Sequence, residues 1–403
     1  MDLDPSAFEE TTAPGSGRRV LRLTAGDATC YPLYYYVSSI AGNRLVYHRA
    51  GDDGVQLHAL ELTTGADVRL TDAAATDTHW RPWCTDPGEG VLDHRSALDA
   101  SRERVYYFTG PGGRRVRAAS LDGRRDESLF ALPDDRVAIG QNCVTPDGEW
   151  FVYIHHDRDG FESLFEDDHY ARHRSSGTVL AAHNLRTGEH RRLVTIDSPI
   201  HHVLALDDER LVFCHPTAEN GMLLTDLDGG WYSHLRTQDA SGGTVCHYLG
   251  TERGLTYEVL GREPLLGGRY DPETHDRYEF PLPDRFGYTH TGYDPAGRLF
   301  LYETVTEPDE AHALYALTEH RPDGTDDWEP LIDDWPTYGG GQKAHFHPRL
   351  TPDRDWVTVV AGDDRTETNQ IHLLDVSDLD DSGVPDPAAG GRTGLADESG
   401  GAA

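Results

Sequence analysis

The chain of 403 residues has almost no lysine. Lys343 is the only one among 36 basic residues, and all the others are arginines. Cysteine is scarce too. Cys30, Cys84, Cys143, Cys214 and Cys246 are odd in number and include no Cys-x-x-Cys pair, which argues against a disulfide framework or a thiolate zinc site. They read as reduced strand residues. No apolar run is long enough to cross a bilayer. The opening Met1–Glu10 is acidic and has no apolar stretch of the secretory kind, so a cytoplasmic protein without membrane contact is expected. Positive charge is the largest deficit. Against 70 acidic residues the net charge is −34, the opposite of a nucleic-acid footprint. High acidity with almost no lysine has the character of adaptation to concentrated salt.

What is present is repetition. A β-rich run following a turn recurs seven times: Arg44–Tyr47, Arg104–Tyr107, Trp150–Tyr153, Arg210–Phe213, Gly254–Tyr257, Leu299–Tyr302 and Trp356–Val359. Several runs follow turn signals such as Thr145-Pro-Asp-Gly148 and Asp294-Pro-Ala-Gly297. Val, Leu, Tyr and Thr dominate, and helical periodicity is nowhere sustained. Short strands in such units predict an all-β, seven-bladed β-propeller, with a pair of β-sandwiches as the weaker reading. The lone strand Arg19–Thr24 precedes the first full repeat and is expected to close the ring by completing the last blade. The reading is a flexible segment over 1–17, a propeller domain over 18–377, and a disordered Gly/Asp-rich tail over 378–403.

In a propeller the innermost strand of each blade lies just before such a run. Nine residues before the first apolar residue of each run stand Tyr36, Ser96, Gln141, His202, Cys246, His290 and His347, with His247 one position out of register. Chance would place fewer than one of the 22 histidines among seven positions, so the excess points to a site. The last blade adds Gln342-Lys-Ala-His345-Phe-His347-Pro348. His345 and His347 at i, i+2 share one face if the segment is a strand. Two imidazoles, a carboxamide oxygen and His290 from the neighbouring blade form a mixed N/O set suited to Mn, Fe, Co, Ni or Zn.

These residues resemble the oligogalacturonate lyases, polysaccharide lyases built on a seven-bladed propeller with a manganese site. The signature Gln-x-x-His-x-His-Pro is matched by Gln342, His345, His347 and Pro348, with the further histidine at His290. The likeness runs from about residue 18 to 377. It implies a divalent metal, most readily Mn2+, held by His290, Gln342, His345 and His347, and a catalytic His247. It also implies β-elimination on short, pectin-derived, anionic oligosaccharides. The C5 proton lies α to a carboxylate, the metal disperses developing charge, and a histidine accepts the proton. There is one departure. The family carries a catalytic arginine shortly before the Asp228-Gly229 turn, where this chain has Gly221, Met222 and Leu223. Lys343 and Arg349 fall on the alternation of His345 and His347 and are expected to supply positive charge to the substrate, with His202 as a further contact. The alternative reading is a non-catalytic, metal-dependent propeller that binds a uronate or another anion, since fold does not fix function.

The charge of −34 carries a direct expectation. Self-repulsion destabilises the compact state at low ionic strength, and at molar salt the Debye length falls to roughly 3 Å. The melting temperature is expected to rise across a salt series from low to molar; a flat response contradicts this.

Overall fold

The structure is a computed structural model. It describes residues 1–73, 95–110, 113–159, 177–196, 200, 202–214, 221–236, 244–251, 254–260, 264–283, 290–294, 296–306, 311–321, 326–339 and 341–380.

Seven antiparallel sheets make the seven blades of a propeller. Blade 1 runs outward through Thr29–Pro32, Arg44–Gly51, Gly54–Glu61 and Asp67–Arg69, with the short Ile40–Ala41 paired beside Arg44–Gly51. The innermost strands of blades 2 to 6 are Ala97–Asp99, Arg136–Val144, His202–Ala205, Thr244–Thr251 and Thr291–Tyr293. Each of the seven β-rich runs belongs to the second strand of its blade. Those strands are apolar on both faces because each blade is sandwiched between two others. Val105, Phe151, Leu211, Leu255, Leu301 and Val357 are all 0% exposed.

Blade 7 is assembled from both ends of the chain. Its order is Glu9–Thr12, Arg19–Arg22, Thr368–Asp375, Trp356–Asp363 and Arg349–Leu350. Val20 lies opposite Leu374 and Leu21 opposite Leu373, all four fully buried. The pairing expected of the N-terminal strand is therefore present. The flexible lead-in expected over 1–17 is not what is seen. Pro5–Ala7 form a 3-10 turn capped by Asp4, and Glu9–Thr12 pair with Arg19–Arg22 as an outer edge strand. The charge-rich Glu9-Glu10 reads as solvent-loving in sequence, yet it sits opposite Arg22 and Leu21, and salt bridges join Arg19 to Glu10 and Arg22 to Glu9. Of the tail expected to be disordered, 381–403 lies outside the described residues.

The innermost strands are not all regular. Blade 5 has a bulge between Val245 and Tyr248, and blade 3 has one between Ile139 and Cys143. A bulge re-aims side chains. This is why His247, rather than Cys246, takes the place that His202 and His290 take in their blades.

Leu21 is fully buried in a cluster with Leu23, Ile371 and Leu373. If this pairing is what closes the ring, Leu21→Ala lowers stability by about 2–5 kcal/mol in urea unfolding. A change below about 0.5 kcal/mol contradicts that role.

Candidate metal centre

Four histidines meet where blades 5, 6 and 7 converge. The His290 ring lies 4.7 Å from that of His247, 4.9 Å from His345 and 4.4 Å from His347, centroid to centroid. His202 is next to them, 6.3 Å from His247. His202, His247, His290 and His347 are buried, and His345 is partly exposed.

The last-blade residues reach this place by a different route from the one strand alternation suggests. Gly341–Ala344 form a 3-10 turn, and the strand begins only at Arg349. His347 has φ +47°, a left-handed backbone that a non-glycine residue seldom adopts. The following Pro348 does not favour this, because a residue before proline is driven toward extended backbone. Alternation therefore does not explain why His345 and His347 meet. Their rings come to lie 5.8 Å apart and nearly parallel through the turn and the reversed φ. The backbone of Gln342 is in the 3-10 turn, and its side chain is outside the described residues.

The loop is fixed by a residue that sequence reading overlooked. Glu303, in the second strand of blade 6, is fully buried. Its Oε1 accepts from Nδ1 of His312 at 2.7 Å and from the Phe346 backbone N–H at 2.7 Å. Its Oε2 accepts from Nδ1 of His290 at 3.1 Å and from the His347 backbone N–H at 3.2 Å. Burial would raise its pKa, but hydrogen bonds from His290 and His312 outweigh that and hold the carboxyl well below its usual range. It is therefore a carboxylate, and both oxygens are engaged.

His290, Glu303 and His345 have ligand-type atoms within 4.8 Å of one another. With four hydrogen bonds already accepted, Glu303 is better placed to orient ligands than to be one. By accepting the hydrogen bond from Nδ1–H of His290 it directs the other nitrogen's lone pair into the cluster. That Nε2 is buried without a hydrogen-bond partner, as is Nδ1 of His345. Burial pushes the His290 pKa down to about 3, so the imidazole is neutral, as ligation requires. Two orphaned ring nitrogens, with His347 beside them, make a donor set that fits a divalent transition metal.

The same construction occurs one blade earlier. Nδ1 of His247 is hydrogen-bonded to Oε1 of Glu258, which is fully buried. Burial raises the Glu258 carboxyl, with His247 opposing. Glu258 and Glu303 follow Tyr257 and Tyr302 at equivalent places in their runs, Leu-Thr-Tyr-Glu and Phe-Leu-Tyr-Glu. That shared acid in an otherwise apolar strand was the signal available in the sequence.

Tyr34, Tyr35 and Tyr36, each no more than 2% exposed, form a wall against the histidines. Tyr35 stacks on His347 at 5.4 Å and meets His290 edge-on at 5.0 Å, while Tyr36 stacks on His202 at 4.4 Å. Of the expected cations, Lys343 sits in the 3-10 turn and not on a strand, with its Nζ 5.6 Å over the ring of Tyr31 in the innermost strand of blade 1. Arg349 donates to the Tyr35 carbonyl, on the backbone of the wall. Met222 and Leu223 are fully buried on the third strand of blade 4, so no cation stands at the place of the family's arginine.

This is a seven-bladed β-propeller with a histidine cluster equipped for a divalent metal. Along nearly its whole length the chain is similar to the oligogalacturonate lyases. It is 21% identical over 387 residues to the oligogalacturonide lyase of Pectobacterium atrosepticum, covering 88% of this chain and 92% of that one. It is 22% identical over 209 residues to the oligogalacturonate lyase of Dickeya dadantii, about half of each chain. In fold it matches the oligogalacturonate lyase of Vibrio parahaemolyticus, with TM-score 0.75 and 18% identity over 93% of this chain and 97% of that one. It also matches an oligogalacturonate lyase in complex with manganese, with TM-score 0.74 and 20% identity over 93% and 96%. No family model matches the chain.

Glu303→Gln tests the orienting role. It keeps the size of the side chain but removes the charge, and one amide group cannot accept on both arms. Metal affinity is expected to fall about 10–100-fold by calorimetric titration with Mn2+. Unchanged affinity in a folded variant contradicts the role.

Proposed function

We propose that the chain is an oligogalacturonate lyase, cleaving short uronide chains by metal-assisted β-elimination. The observation that carries this reading is the pair of His–Glu dyads, His290–Glu303 and His247–Glu258, side by side on adjacent blades. One histidine belongs to the metal set and the other stands next to it with no place in that set.

His290, His345 and His347 would hold the ion, with Gln342 as the fourth ligand expected from the motif. A divalent ion there supplies Lewis acidity toward the carboxylate attached to C5. The chain's own work is proton transfer and positioning. Glu258 engages Nδ1 of His247, which leaves Nε2 as the basic atom. Nε2 takes the C5 proton, the C–H electron pair becomes the C4–C5 double bond, and O4 departs with the electrons of its bond to C4. His202 and Lys343 are the proposed substrate contacts. The rings of Tyr34 to Tyr36 keep water from the imidazoles.

A second reading has one observation in its favour, the apolar Met222 and Leu223 where the family has its arginine. It is a propeller that binds metal and uronate without turnover. Incubation with digalacturonate and Mn2+, followed by the ultraviolet absorbance of the unsaturated product, separates the two. Turnover is expected, with loss of about 10³-fold or more in His247→Ala and loss of both metal and activity in His345→Ala. Binding of metal and digalacturonate with no absorbance change supports the second reading. Stoichiometric metal in His345→Ala contradicts the ligand set.

A further inference from the structure

The seam between blades 7 and 1 contains a cavity of about 160 Å³ whose lining includes Ser38, Ser39, Ile40, Arg349, Leu350 and Thr358. None of the clustered histidines lines it. Arg349 comes from the innermost strand of blade 7, and the serines come from the segment that follows the tyrosine wall. Only one hydrogen bond is made by the guanidinium among the described residues, to the carbonyl of Tyr35. No described carboxylate pairs with it, although the chain has 70 acidic residues for 36 basic ones. Arg18 takes Glu329 and Asp378 and Arg22 takes Glu9 and Asp363, whereas Arg136, like Arg349, donates to a backbone carbonyl. Arg349 is half-buried, and a guanidinium with unused N–H groups is a fork matched to an oxyanion. The Ser38 and Ser39 hydroxyls are held to backbone groups next to the cavity, with Ser38 donating to the Ile40 carbonyl at 3.1 Å and Ser39 to the Leu33 carbonyl at 3.4 Å.

We propose that this cavity is a small-oxyanion site, with Arg349 as the charged anchor and the Ser38 and Ser39 hydroxyls able to turn toward the bound ion. The volume sets the class of ligand. Pockets for drug-sized molecules run to roughly 300–1,000 Å³, so this one suits an inorganic oxyanion or a single carboxylate group and excludes an oligosaccharide. A bound anion would link blade 7 to blade 1, the two blades that meet where the ends of the chain come together. The site is independent of the proposed lyase reaction.

The test is titration calorimetry on the full chain with inorganic phosphate and, in a separate arm, with monomeric galacturonate, at fixed ionic strength. Saturable one-to-one binding of phosphate is expected, unchanged in His345→Ala and weakened at least tenfold in Arg349→Gln. Arg349→Lys keeps the charge but loses the fork, and it serves if the glutamine variant does not fold; weakening of severalfold is expected there. Phosphate binding that is absent from the parent, or equal in the Arg349 variants, overturns the proposal. Galacturonate binding with the same Arg349 dependence identifies a sugar carboxylate as an alternative source of the anion. Galacturonate binding that disappears in His345→Ala, with no phosphate binding at all, assigns the anion to the histidine cluster and overturns the separate site.

Discussion

The carboxylate of Glu303 is the fixed point of the histidine cluster. It joins three parts of the structure that are far apart in sequence: His290 before the innermost strand of blade 6, His312 in the third strand of that blade, and the backbone of Phe346 and His347 at the entry to blade 7. A buried carboxylate is tolerated only when its oxygens are satisfied, and here four donors do so. The demand works in both directions. The loop needs an acceptor for two N–H groups that no strand supplies, and the left-handed His347 is held in an otherwise disfavoured conformation by that bond.

How much of this was legible in sequence follows from which patterns are local. The seven runs could be read because alternation and turn chemistry are properties of a few adjacent residues. His202 and His290 could be read by counting back from those runs, because inner strands share a register. His247 came out one position off, and the reason is the bulge between Val245 and Tyr248, which a count cannot foresee. His345 and His347 do not lie on a strand, although His-x-His fits one; the reversed φ at His347 depends on its partner Glu303 more than 40 residues away. Glu303 and Glu258 escaped notice because an acid in a strand normally marks the solvent face. Three consecutive tyrosines gave no periodic signal at all, and their role as a wall appears only once the ring brings them against the histidines.

The preference for arginine acquires a structural meaning. Arg210 pairs with Asp207 in its own blade and with Glu273 in blade 5, and Arg354 in blade 7 reaches Asp294 in blade 6 at 2.8 Å. A guanidinium can hold two acids in one plane, whereas an ammonium offers a single point of charge. Each exposed pair is worth at most about 1 kcal/mol. Spread over the blade junctions, such pairs let an acidic surface coexist with closely packed sheets.

The seventh blade has a consequence for how the molecule comes into being. Val20 is made about 350 residues before its partner Leu374. At about 5–20 residues per second, the strand Arg19–Arg22 waits on the order of tens of seconds for a sheet to join. During that interval Val20 and Leu21 lack their strand partners Leu374 and Leu373, although Leu21 can already pack on Leu45 and Leu60 of blade 1. Blades 1 to 6 can form as their strands emerge, but Arg19–Arg22 must wait for Thr368–Asp375 before it has its inner neighbour. The nascent chain therefore carries an open sheet edge until Thr368–Asp375 has emerged, and that is the stage at which it is most exposed to mispairing with another copy of itself.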